Sequence, residues 1–222
     1  MATFTMLPRS CVMRSRLLGI AALMLCLTGS DALAQTNLRN TFPGRRIGGG
    51  TRGECSARLL AHLVPSSSVF APGRGVTIGL LEGPTAQPRP LQIAFRPLNS
   101  AGTAEAAQAR TSTRELPAGQ AGVVLLAVQP IKTATIWESA YRCDEGSSSG
   151  SDPLDFVQSA SPPAVSLLVA DAQGDDTRIE AALVRLRAAC GSTVATAEVA
   201  KAFGLADVIS AEWPQQLPVR CP

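Results

Sequence analysis

Two hydrophobic periods divide this chain. Between residues 76 and 169 apolar side chains alternate with polar or small ones, the period-two signature of strands with one buried face. Val76, Ile78 and Leu80 alternate with Thr77 and Gly79, and Leu91, Ile93 and Phe95 alternate with Gln92, Ala94 and Arg96. Gly83-Pro84 and the prolines at 88 and 90 punctuate the gap between these runs. Residues 123–128 (VVLLAV) are apolar on both faces and predict a central strand. Over residues 135–143 Trp137, Ser139, Tyr141 and Cys143 share one face, and Glu138 and Arg142 the other. Val165, Leu167 and Val169 predict a further strand.

Beyond residue 175 the period lengthens. Ile179, Leu183, Leu186 and Cys190 recur at helical spacing, with Thr177 and Glu180 as a capping box and Gly191 as the stop. A second short helix is predicted from Ala197 to Phe203, capped by Thr196 and ended by Gly204, after which residues 205–222 return over the surface. The expected fold class is mainly β with α: an immunoglobulin-like β-sandwich over residues 54–170, with a helical C-terminal appendage over 171–222.

The N-terminus has a different character. Arg9, Arg14 and Arg16 precede a short apolar run, Leu17 to Thr28, and Ala32-Leu33-Ala34 places small residues at a cleavage site before Gln35. This is the pattern of a cleaved export signal over residues 1–34. The run is too short for a membrane span, which needs about 20 apolar residues, and no second such run follows, so no transmembrane span is expected in the mature chain. Residues 35–53, rich in Gly, Arg and Asn, are expected to be a flexible N-terminal segment. The expected location is therefore the periplasm, the cell envelope or the exterior.

Export changes how composition and cysteine content are understood. Most of the formal charge of +3 leaves with the three signal arginines, so nucleic acid is not an expected partner. Residues 35–142 hold 12 Lys/Arg against 5 Asp/Glu, and residues 143–222 hold 5 against 11. The two halves are expected to attract one another within one fold rather than to face an anionic partner. Cys11 and Cys26 leave with the signal, and Cys55, Cys143, Cys190 and Cys221 remain. An even set in an oxidising compartment predicts two disulfides. Of the three connectivities, Cys55–Cys143 and Cys190–Cys221 are expected, because a penultimate cysteine ties down an otherwise frayed end. The cysteines lack CxxC spacing and His62 is the sole histidine, so no metal site or cofactor is expected.

Several motifs match catalytic signatures by letter alone. Gly48 to Gly53 spells GxGxxG, yet Pro43-Gly44-Arg45-Arg46 before it is loop chemistry, not a strand. Gly146 to Gly150 spells GxSxG inside a Ser/Gly-rich loop, with the only histidine upstream. Thr196 to Leu205 resembles the first half of a helix-turn-helix, but the residues after it lack base-reading Arg or Lys. His62 lies in an apolar run, Leu59 to Val64, which favours a satisfied core histidine over a general base. Asp175-Asp176 fits helix N-terminal charge, and Asp152 with Asp155 fits a loop. No catalytic residue is expected.

Gly48-Gly49-Gly50-Thr51-Arg52-Gly53-Glu54-Cys55, then Leu63-Val64-Pro65 and Gly83-Pro84-Thr85, resemble the start of domain-of-unknown-function family 928, common in cyanobacteria, and Trp137 to Cys143 resembles its later Trp/Cys strand. The resemblance covers roughly residues 44–145. It implies an exported β-rich envelope domain and nothing catalytic. The expected function is non-enzymatic recognition or scaffolding, with an unknown envelope protein or glycan as partner. The alternatives are an envelope hydrolase using His62 or carboxylates, and a carbohydrate or small-ligand module using Trp137 or Trp213 as a platform.

Overall fold

The computed structural model describes residues 38–49, 58–98, 111–142 and 162–222. The signal segment, the Ser/Gly loop, Cys55 and Cys143 lie outside the described residues, as does the expected Cys55–Cys143 bridge. Among the described residues the chain is mainly β with a few helices.

Among the described residues eleven strands form two mixed sheets. They are β1 (Ile47–Gly48), β2 (Leu60–His62), β3 (Val69–Phe70), β4 (Thr77–Glu82), β5 (Leu91–Pro97), β6 (Ser112–Leu116), β7 (Gly122–Ala127), β8 (Thr135–Tyr141), β9 (Ala164–Leu168), β10 (Thr193–Ala195) and β11 (Gln216–Arg220). The six-stranded sheet runs β1-β2-β4-β7-β11-β10 and the five-stranded sheet β3-β9-β8-β5-β6. Neighbours are antiparallel except β7/β11 and β3/β9, which are parallel. The inner faces share one apolar core that includes Leu60, Ile78, Leu80, Val124 and Leu126 from one sheet and Leu91, Ile93, Trp137 and Leu168 from the other.

Helix α1 (Gly174–Ala188) and helix α2 (Thr196–Phe203) follow the last long strand. Ile179, Ala182, Leu183 and Leu186 form the buried stripe of α1, with Leu183 lying over Gly79 of β4. This cover changes the expectation for β4. Its six residues are buried without alternation, because one face meets the other sheet and the opposite face meets α1. By contrast β5 keeps Leu91 and Ile93 buried and Gln92 exposed, and β8 keeps Trp137, Ser139 and Tyr141 buried on one face.

Three boundaries differ from the sequence expectation. Helix α1 begins one turn earlier than Thr177, and its capping box is Gln173 with Asp176, whose Oδ2 accepts the Gln173 backbone N–H at 2.8 Å. Thr196 lies inside α2, where its hydroxyl donates to the Pro214 carbonyl instead of capping the helix. Residues 205–222 do not simply return over the surface. Leu217 and Val219 are buried, and β11 sits within the six-stranded sheet between β7 and β10. The C-terminal segment is thus helical and also supplies two strands.

The two sides of the sheet pair are unlike. Along one side Arg45 exchanges backbone hydrogen bonds with Val165 of β9 (2.9 and 2.7 Å), and the Gly49 N–H donates to the Pro162 carbonyl at 2.9 Å. Because β1 pairs with β2 in the other sheet, this short segment stitches both sheets together. Gly49 has φ +88°, and a Cβ there would lie 2.1 Å from the Arg58 carbonyl oxygen, so the stitch requires glycine. Along the other side, among the described residues, a cleft lies between β6 and β11.

Candidate functional site: a charged cleft and a sealed histidine

His62, the one histidine, is fully buried between the sheets. Its Nδ1 lies 2.8 Å from Ser166 Oγ and its Nε2 2.9 Å from Ser139 Oγ. The ring stacks on Trp137 with centroids 3.6 Å apart and planes 7° from parallel. Burial drives its pKa well below the usual histidine range, so the ring is neutral, donating through one nitrogen and accepting through the other. Both nitrogens are already used and the ring is fully buried, which is the geometry of a satisfied core histidine.

The sequence-flagged platforms are also interior. Trp137 is wholly buried and Trp213 is 9% exposed, and both belong to the main core. The helix-turn-helix lookalike buries Thr196, Val199, Ala200 and Phe203 on α2. Asp175 and Asp176 occupy the first turn of α1, and Asp176 binds Arg39 at 2.6 Å. Arg39 with Asp176 joins a cation of the basic half to a carboxylate of the acidic half, whereas Arg220 with Glu82 joins the halves with the signs reversed.

A second polar cluster was not anticipated. Glu82, at the end of β4, is 2% exposed and carries an ion pair on either side. Arg58 Nη1 lies 3.3 Å from Glu82 Oε1, and Arg220 Nη2 donates to Glu82 Oε2. Arg58 also donates from Nε to the Gly83 carbonyl at 2.8 Å and stacks over the Tyr141 ring at 4.8 Å. The Tyr141 hydroxyl reaches the Leu59 carbonyl at 3.3 Å and hydrogen-bonds to the Glu82 carboxylate. Burial raises the Glu82 pKa above the usual carboxylate value, opposed by the two guanidinium groups. Burial also raises the Tyr141 pKa, so that phenol stays protonated.

A signal for this site exists in the sequence. Ile78, Leu80 and Glu82 share one parity along β4, so a carboxylate occupies a position whose neighbours point into the core. Such a group demands a buried counter-charge.

Glu82 and Arg220 form the floor of this cleft, which has a volume of about 500 Å³. Its walls are largely apolar: Leu116, Pro117, Val124 and Val219, with Cys190 and Cys221 at one flank. The two sulfurs are in disulfide contact, with Cα atoms 5.9 Å apart. Because Cys221 follows Arg220 directly, this link fixes the guanidinium over Glu82. Gly119 permits that seat, since a Cβ there would lie 1.9 Å from Arg220 Nη1.

The cluster suits binding better than acid–base turnover. A glycoside-cleaving pair needs two carboxyl groups across a substrate, whereas Glu82 is flanked by guanidinium groups. Among the described residues no three His, Cys, Asp or Glu side chains converge as a metal site, and no helix is long and apolar enough to cross a membrane. No known protein family, curated protein or solved structure matches the chain.

Proposed function

We propose that this chain is an exported, non-enzymatic recognition or scaffolding protein of the periplasm or cell envelope, built on an immunoglobulin-like β-sandwich. One observation carries the non-enzymatic part: both nitrogens of His62 are bound to Ser139 and Ser166 inside the core. The signal pattern of residues 1–34 and the Cys190–Cys221 pair support export. The resemblance to family 928 supports the same class. It rests mainly on Gly48 to Cys55, of which residues 50–55 lie outside the described part.

The outer face of the five-stranded sheet is the surface offered to a partner. Gln92 of β5 and Thr113 and Glu115 of β6 are exposed there, while the helices cover the outer face of the six-stranded sheet. A glycan platform finds less support, because Trp137 and Trp213 are core residues. Small-ligand binding is the second reading, favoured by the cleft beside Glu82.

The test is a tagged full-length chain expressed in its native cell. Fractionation should recover it outside the cytoplasm, processed to begin at Gln35. A photo-crosslinker at Gln92 or Thr113 should then give a discrete adduct that the same probe at Arg74, an exposed residue on another face, does not. Unprocessed cytoplasmic protein, or equal labelling from all three positions, overturns the proposal.

A further inference from the structure

We propose that the cleft between β6 and β11 binds a small organic acid, its carboxylate at Arg220 and its apolar body along the cleft walls. This inference rests on the small-ligand reading of the cleft and not on the outer sheet face, so the two proposals fail separately.

Among the described residues the floor has a surplus of positive charge. Two guanidinium groups, Arg58 and Arg220, share the single carboxylate of Glu82. The other nearby pair, Arg142 with Glu115, is balanced, and register places Glu115 beside Gln92 on the outer face of its sheet. The surplus extends to hydrogen bonding. Arg58 Nη1, Arg58 Nη2 and Arg220 Nε make no hydrogen bond, against one carboxylate oxygen, Glu82 Oε1, in the same condition. That oxygen faces Arg58 Nη1 within ion-pair distance, so the pair supplies its own partial compensation. What remains is a donor surplus on atoms closed off from solvent, which biases the floor toward an acceptor met by the exposed part of Arg220.

The two arginines differ in access. Arg58 is 5% exposed and contributes charge from behind Glu82, whereas Arg220 is 34% exposed and is the group a ligand reaches first. A planar guanidinium matches a carboxylate in shape as well as charge. Above the floor Leu116, Pro117, Val124 and Val219 offer no polar partner along most of the cleft. A ligand there gains by taking apolar surface out of water. One charged end and apolar walls together select a molecule with one anionic end and an apolar remainder.

Octanoate, octanol and octylamine are the probes, because they share a chain and differ in headgroup. Titration calorimetry on the mature, disulfide-intact protein should show one saturable octanoate site. Octanol should bind at least about tenfold more weakly and octylamine should not bind. R220Q should bring octanoate down to the octanol level, and R220K should retain part of the difference. Pro117 lies at the exposed rim, so P117W should obstruct the cleft and abolish uptake of both neutral and anionic probes. Folding of each variant is checked by circular dichroism, and P117W keeps the test decisive where R220Q does not fold. Equal binding of octanoate and octanol, tighter binding of octylamine, undiminished uptake by P117W, or no saturable octanoate site each overturns the proposal.

Discussion

His62 and Glu82 are both buried, polar and inward-facing on neighbouring strands, yet the protein treats them oppositely. At His62 the polar group is neutral and each ring nitrogen has a hydroxyl partner. At Glu82 the group is held between two formal charges, with several polar atoms left without hydrogen bonds. The first lies toward the stitched side and the second beside the cleft. A polar group fully satisfied from within adds definition to a core and leaves nothing for a ligand. One satisfied chiefly by charge retains capacity for another partner.

The contrast predicts opposite pH behaviour. His62 has a folded pKa below its ordinary value of 6.5, so below that pH the unfolded state binds more protons. Its contribution is complete above pH 6.5 and is lost as pH falls, at up to about 1.4 kcal/mol per pH unit. Glu82 has a folded pKa above its ordinary value of 4.5, so just above that pH the folded state binds more protons. Its contribution is complete at lower pH and declines as pH rises through the window between the unfolded and folded values.

The sharpest way to break the comparison is E82A. It leaves Arg58 buried without its counter-charge and should cost about 3–5 kcal/mol in a urea melt at pH 7. Removing the Cys190–Cys221 link by the double serine variant follows. For a separation of 31 residues the chain-entropy account gives about 3–4 kcal/mol. The same variant should raise hydrogen exchange along β11, since Arg220 loses its tether.

H62Q sharpens the other side. It should cost about 1–3 kcal/mol at pH 8, through the lost stack and altered hydrogen bonds. It should also flatten the fall in stability below pH 6.5 relative to wild type. An unchanged slope would show that His62 is not the source. The smallest effect is expected from E115Q. Its partner Arg142 is 60% exposed, so the cost should stay below about 1 kcal/mol and shrink further with salt.

The sequence made some parts of this molecule far more legible than others, for physical reasons. Strands β4, β5, β8 and β9 declare themselves by alternation and β7 by an unbroken apolar run, and the stripe Ile179, Leu183 and Leu186 declared α1. Strands β1, β2, β3 and β10 are two or three residues long, too short to show a period. Strand β6 exposes Ser112, Thr113, Arg114 and Glu115, so it has no buried face to read. Pro218 argues locally against a strand, and pairing with β10 and with distant β7 overrides it. The histidine's fate was readable because its neighbours in sequence are apolar. The cleft was hidden because Glu82 and Arg220 stand 138 residues apart, and charge at each position has meaning only once both strands are placed.

The position of β11 also sets the order in which the molecule can be completed. The six-stranded sheet has its last residues, 216–220, between β7 and β10. As the chain is made, β7 must wait for a strand nearly a hundred residues downstream before that edge is covered. Until then the Val123 and Val124 edge lacks its native neighbour, and Glu82 has only one of its two arginines. Maturation therefore has a late step in which a strand is received, a charge is neutralised and two cysteines are brought together. A ribosome-bound chain stopped before residue 216 should expose that edge to proteolysis, whereas one extended past residue 222 by a linker should not.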